Sequence, residues 1–196
     1  MHILHLDSAI TGDASVSRNL TAQIVARLTA ADPAATVTYR DLAADEVPVI
    51  DGAWFQAVRV GTDNPTPEEQ AQIRTSDTLL AEVQAADTLV IGLPIYNFSL
   101  PSQLKTWLDQ IARAGVSFRY TEAGPEGLLT GKRAIVAYTA AGTPIGSDMD
   151  HASGYLRHML GFLGITDVTF VPADGLAFDR EAGMARAQQA MDQIAA

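Results

Sequence analysis

Three short stretches of this sequence carry hydroxyl, amide and small residues at spacings that suit an anion or a flat ring better than acid–base catalysis. The first is Asp7-Ser8-Ala9-Ile10-Thr11-Gly12-Asp13-Ala14-Ser15-Val16-Ser17, which leads straight into a helical pattern. Serine hydroxyls and free backbone N–H groups at a helix N-terminus form a phosphate site without lysine or arginine. A plain N-cap by Ser15 or Ser17 explains the same residues equally well. The second stretch, Gly92-Leu93-Pro94-Ile95-Tyr96-Asn97-Phe98-Ser99-Leu100-Pro101, sets aromatic and amide groups between prolines. It reads either as a holder for a planar ring or as a proline-punctuated turn capped by Ser99. In the third, Thr139-Ala140-Ala141-Gly142-Thr143, small side chains let a flat ligand approach the backbone.

The elements that must position these stretches follow from hydrophobic periodicity. Apolar runs at Ile3–Leu6, Thr36–Tyr39, Thr88–Leu93, Ala134–Tyr138 and Val168–Val171 read as five strands. Between them, Leu20, Ile24, Val25 and Leu28 share a helical face, and Leu104, Trp107, Leu108 and Ile111 recur at i, i+3, i+4, i+7. Thr66-Pro67-Glu68-Glu69 predicts a capping box with proline at the first helical position, opening a helix through Ile73, Leu80 and Val83. A helix through Tyr155 and Leu163 should end near Gly164, and a last one should start at Asp179 with Met184, Ala187, Met191 and Ile194 inward.

Five strands alternating with helices in one domain, residues 1–196, predict an α/β doubly wound sheet of flavodoxin type. Its strand order would be 2-1-3-4-5, with helices on both faces. Ligands of such a sheet bind beyond the carboxyl ends of its strands, where all three polar stretches converge. One segment exceeds a minimal version. Residues 43–64 have little periodicity yet hold Val47, Val49, Ile50, Trp54, Phe55 and Val58, so we expect a mostly irregular or short-helical excursion serving as a dimer interface or lid.

Composition removes other chemistries. The 196 residues include no cysteine, which excludes a disulfide framework, a thiolate nucleophile and iron–sulfur or thioredoxin-type redox centres. Any electrons must therefore travel on a borrowed cofactor. A net charge of −10 argues against nucleic acid and anionic membrane as partners. No signal peptide and no membrane-length apolar run are visible, so the expected compartment is the cytoplasm. Gly131-Lys132-Arg133 lacks the earlier glycine and the final Ser or Thr of a P-loop. Neither a Gly-x-Gly-x-x-Gly after the first strand nor a Gly-x-Ser-x-Gly elbow is present. His151 and His158 are seven apart, too far for metal ligands on adjacent turns, and no metal site is expected.

The serine loop, the Pro94–Phe98 turn, and above all Arg113-Ala114-Gly115-Val116-Ser117-Phe118-Arg119-Tyr120-Thr121-Glu122 running into Gly124-Pro125-Glu126-Gly127-Leu128 closely resemble the FMN-dependent NADH-azoreductases. These are also described as NADH:quinone oxidoreductases. The resemblance runs from Ile3 through Gly161–Asp167, essentially the whole chain. It implies that Ser15, Val16 and Ser17 hold the FMN phosphate, that Pro94, Ile95, Tyr96, Asn97 and Phe98 meet the isoalloxazine and ribityl chain, and that Thr139, Ala140, Ala141 and Gly142 border the ring. Tyr120 and Phe162 would line the acceptor pocket, with Arg59 reaching it from a partner subunit, although core packing explains Phe162 equally well. Ala9 stands where relatives usually have a second serine, so a phosphate contact there falls to its backbone or to Ser8.

The activity this resemblance implies is two-electron reduction of quinones and cleavage of aromatic azo compounds by a homodimer. NADH would be the donor, NADPH an open alternative, and the flavin rather than a catalytic side chain would carry the hydride. Two other classes compete: a flavodoxin-type electron carrier, and a phosphodiesterase-type hydrolase.

Overall fold

The computed structural model describes residues 1–194; Ala195 and Ala196, the end of the expected 1–196 domain, lie outside the described residues. The five apolar runs form β1 (His2–Asp7), β2 (Thr36–Asp41), β3 (Thr88–Pro94), β6 (Arg133–Thr139) and β7 (Asp167–Ala173). They pair in parallel in the order β2-β1-β3-β6-β7, which is the expected 2-1-3-4-5 topology. Every residue of β3 is buried, and so is all of β6 after Arg133, as central parallel strands require when helices cover both faces.

Period-two alternation divides the apolar residues between two cores. Leu4, Leu6, Leu89, Ile91 and Val136 face one side. There they meet α3 (Pro67–Ala85), α4 (Ser102–Ile111) and α5 (Ser153–Leu163) through Leu80, Trp107 and Leu156. Ile3, Val90, Ile135 and Val171 face the other, against α1 (Val16–Ala31) and α6 (Arg180–Asp192) through Leu20, Ile24, Ala187 and Met191. Several helix boundaries have a local cause. Thr66 and Glu69 form the reciprocal capping box of α3, Gly164 ends α5 at φ +105°, and the Asp179 side chain caps α6. Ile194 lies beyond the last residue of α6 but still packs on its core.

One feature departs from the expected layout. Phe118–Thr121 and Gly124–Gly127 pair as an antiparallel ribbon, β4 and β5, although Gly-Pro-Glu-Gly has none of the residues that favour strands. The ribbon docks on the end of α5 because Gly127 has no side chain. A Cβ there would lie 2.1 Å from the Gly164 nitrogen.

The 43–64 excursion is short-helical, as expected. It holds one turn, α2 (Gly52–Trp54), capped by the Asp51 carboxylate, and a π-helix over Phe55–Val60 that stops at Gly61 with φ +88°. Its anchor is Gln110, a fully buried amide on the apolar face of α4. Gln110 Oε1 accepts from Trp54 Nε1 and Gln110 Nε2 donates to the Pro48 carbonyl, both at 2.8 Å. These bonds satisfy the buried amide and tie the excursion to the core.

Gly127→Ala is expected to destabilise the fold by about 2–3 kcal/mol, because backbone rather than a flexible side chain blocks the added methyl. Urea unfolding of the variant beside Gly161→Ala, whose added Cβ meets nothing at an ordinary helical φ, measures this.

Candidate active site

The loops after β1, β3 and β6 meet at the carboxyl edge of the sheet around an open cavity of about 370 Å³. Its lining includes Ser15, Val16, Ile95, Tyr96, Ala140 and Ala141. This volume lies within the range of small-molecule sites, roughly 300–1,000 Å³.

The first wall is the start of α1. Ser15 Oγ accepts from the Arg18 backbone N–H and lies 3.0 Å from Ser17 Oγ, both hydroxyls being buried. Ser15 therefore is an N-cap, and the capping leaves the N–H groups of Val16 and Ser17 without an intrahelical acceptor. Ser8 takes a different role from its neighbours: its hydroxyl donates to the Gly92 carbonyl at 2.8 Å, riveting β1 to β3. Ala9 is buried beside it.

The second wall is the turn after β3. Ile95 N–H donates to the Thr139 carbonyl at 2.8 Å, which locks this turn to the loop after β6. Tyr96 and Ser99 exchange backbone hydrogen bonds around Asn97 and Phe98, which adopt φ of 50° and 71°. Positive φ is tolerable for asparagine but strained for phenylalanine, whose ring is also half exposed. Two outside contacts hold the turn: the Phe98 carbonyl accepts from His151 N–H, and Tyr96 Oη accepts from Ile10 N–H at 3.2 Å.

The third wall, Thr139–Gly142, is backed by a segment that sequence reasoning missed. Leu176 and Ala177 N–H groups donate to the Ala140 and Ala141 carbonyls, bringing the stretch after β7 into the cavity wall. Phe178 lies against Gly142, where a Cβ would come within 3.1 Å of the ring, yet the phenylalanine is 84% exposed. The topology gave notice of this wall, since the loop after the fifth strand emerges at the same sheet edge. Asp174 fixes it by accepting from Ile145 N–H at 2.9 Å and from the Arg186 guanidinium.

Tyr120 and Phe162, separated by 42 positions, are brought together through Phe118, whose ring centroid lies 5.6 Å from Tyr120 and 4.5 Å from Phe162. Phe162 is partly buried against the core while Tyr120 is exposed. Arg59 is not part of this cluster. It is exposed on the π-helix, and no hydrogen bond or ion pair joins it to either aromatic among the described residues.

Known proteins match this arrangement over its full length. A family model described as a flavodoxin-like fold covers residues 1–196. FMN-dependent NADH:quinone oxidoreductases from Cereibacter sphaeroides strain KD131 and Jannaschia sp. strain CCS1 are each 56% identical to this chain. The first alignment covers 99% of the chain and 98% of the relative, the second 100% and 99%. The chain belongs to this family. Among solved structures, the FMN-dependent NADH-azoreductase of Bacillus anthracis str. Ames Ancestor in complex with FMN superposes with a TM-score of 0.87. It is 29% identical, over 98% of this chain and 97% of that one.

In this member of the family, a half-buried carboxylate organises the segment that holds the Phe98 turn. Asp150 accepts from the N–H groups of Gly146, Ala152 and Ser153 and from the Ser153 hydroxyl, adjacent to the His151 N–H that grips Phe98. Burial alone would raise its pKa, but these donors outweigh burial and hold it below the usual carboxylate range. A lowered folded pKa means that the carboxylate stabilises the fold fully above the unfolded value, and that this contribution vanishes as pH falls through the folded value.

Two measurements test this wall. The stability gap between wild type and Asp150→Asn should stay constant from about pH 7 to about pH 5 and shrink below pH 3.8, in urea titrations. Phe98→Gly should be at least as stable as the wild type, while Phe98→Val falls below it by about 1 kcal/mol, because a β-branched residue suits positive φ worse still.

Proposed function

We propose that the chain binds FMN in this cavity, oxidises NADH, and reduces quinones by two electrons. Aromatic azo compounds would be cleaved in the same slot, with donor and acceptor visiting in turn. The observation that carries the reading is the convergence of the α1 N-terminus, the Pro94–Phe98 turn and the Thr139–Gly142 loop on one cavity of matching size.

The residues present fit FMN. A phosphate meets the Val16 and Ser17 N–H groups, the Ser15 and Ser17 hydroxyls and the positive end of the α1 dipole, with no need of a cation. Ile95, Tyr96, Asn97 and Phe98 present backbone and aromatic groups to the ring, and Pro94 aims the turn. Opposite them, Thr139, Ala140, Ala141 and Gly142 expose little side chain, so a flat ring can lie against backbone. Ser8 and Ala9 act behind the phosphate loop rather than as donors to it. When bound, FMN supplies reversible hydride acceptance and donation.

The protein's own task is then orientation and exclusion of water. The locked β3 and β6 loops fix the ring plane, and the exposed Phe98, Tyr120 and Phe178 offer apolar and aromatic surface for a flat acceptor. Val49, Phe55 and Val60 on the excursion are 69%, 51% and 60% exposed, an apolar face that suits a second copy of the chain. In that homodimer Arg59 of the partner subunit would reach the acceptor slot. Use of NADH as donor supports a cytoplasmic location for the protein.

The purified protein should show flavin absorbance and should oxidise NADH with a soluble benzoquinone without any added reductase. Initial rates plotted against both substrates should give parallel reciprocal lines. Negligible turnover without a reductase favours the electron-carrier class instead, and a protein that neither contains nor takes up FMN overturns the reading.

A further inference from the structure

Behind the phosphate loop lies a largely enclosed arginine that the reaction described above does not use. Arg18 projects from the first turn of α1, with its side chain only 14% exposed. Its guanidinium grips Asp41 with both terminal nitrogens, Nη1 to Oδ2 at 2.6 Å and Nη2 to Oδ1 at 2.7 Å. Nη1 also donates to Tyr39 Oη at 3.1 Å, and Asp7 Oδ2 lies 4.0 Å away. Tyr39 donates its own proton to Asp7; burial and the two carboxylates push its pKa up to about 12, so it remains protonated. The cation is thus neutralised by Asp41 and Asp7 on the side away from the cavity.

One donor remains. Arg18 Nη2 also reaches the Ala9 carbonyl at 2.8 Å. The same peptide unit carries the Ile10 N–H, which donates to Tyr96 Oη in the turn after β3. A single planar peptide is therefore held at its oxygen by Arg18 and at its nitrogen by Tyr96, and planarity makes the two grips fix one orientation. This peptide joins Ser8 to the segment that leads into Ser15 and Ser17.

We propose that Arg18 is a positioning residue for the flavin phosphate. It does not contact the phosphate; it fixes the Ala9–Ile10 peptide and so couples the phosphate loop to the ring-binding turn. The inference rests on the flavin reading. It also explains how the chain manages with Ala9: with no hydroxyl at this position, the loop takes its shape from a guanidinium fork. Lysine cannot replace that fork, because a single ammonium lacks the planar geometry that meets a carboxylate in two places and a carbonyl as well.

The test compares FMN with riboflavin, which lacks the phosphate, on flavin-free protein by fluorescence titration. Arg18→Met and Arg18→Lys should each weaken FMN by at least about tenfold, the scale of one lost charge-assisted bond. Riboflavin affinity should change by less than about twofold on the same scale. Arg18→Met combined with Asp41→Asn removes the unpaired carboxylate; it should regain thermal stability without regaining FMN affinity. Tyr96→Phe keeps the fold and the ring but removes the second grip. Its effect on FMN affinity should be non-additive with that of Arg18→Met, as two groups acting on one peptide require.

Equal weakening of FMN and riboflavin, full rescue by lysine, additivity with Tyr96→Phe, or unchanged FMN affinity each overturns the inference. A wild-type protein that binds no FMN overturns the flavin reading and this inference together. A wild type that binds FMN, with variants that bind it equally well, overturns the inference alone.

Discussion

The parallel pairing of β1 with β3 is the constraint on which the rest depends. It places consecutive sheet neighbours whose following loops belong to different parts of the chain, and so opens the crevice at the strand ends. The pairing is reinforced just where the loops diverge. Ser8 hydroxyl bonds the Gly92 carbonyl, and Gly92 has no side chain because one would press on the Asp7 carboxylate at 3.0 Å. Without these contacts the start of α1 and the Pro94–Phe98 turn would have no fixed relation, and neither alone forms a site.

A second constraint is electrostatic. A chain with a net charge of −10 gains nothing from long-range attraction when it takes up a phosphate ester. Its one well-placed arginine is turned away, enclosed by Asp41 and Asp7, with Asp41 held below the usual carboxylate range chiefly by the Arg18 hydrogen bonds. What remains for an anion is short-ranged: N–H groups, hydroxyls and a helix end. Such groups select by geometry, so the loop that carries them must be stiff, and the hydrogen-bonded network of Asp7, Arg18, Tyr39 and Asp41 provides that stiffness from behind.

Much of this was legible in the residues. Runs such as Thr88–Leu93 are apolar on both faces and foretell central strands, and Thr66-Pro67-Glu68-Glu69 foretells a helix start to the residue. Ser15, Ile95, Tyr96 and Ala140 were singled out by composition and turn chemistry, and they line one cavity. What escaped notice depends on contacts distant in sequence. The Gly124–Gly127 half of the ribbon has no strand propensity of its own and docks because Gly127 fits against Gly164. Gln110 interrupts an apolar helix face, a visible anomaly whose partners Trp54 and Pro48 lie more than fifty residues away. Leu176, Ala177 and Phe178 enter the wall through backbone bonds that leave no mark on side-chain patterns.

The central claim is that neutral donors and a helix end, rather than a cation, hold the flavin phosphate. The dependence of FMN affinity on ionic strength tests it most directly, because salt screens exposed charge pairs strongly and buried dipolar contacts weakly. Between about 0.05 and about 0.5 M sodium chloride, the account predicts a dissociation constant that is unchanged or tighter, as screening relieves repulsion from the acidic surface. A steep weakening with salt, about tenfold or more, would mean that a lysine or arginine carries the phosphate and would contradict the account.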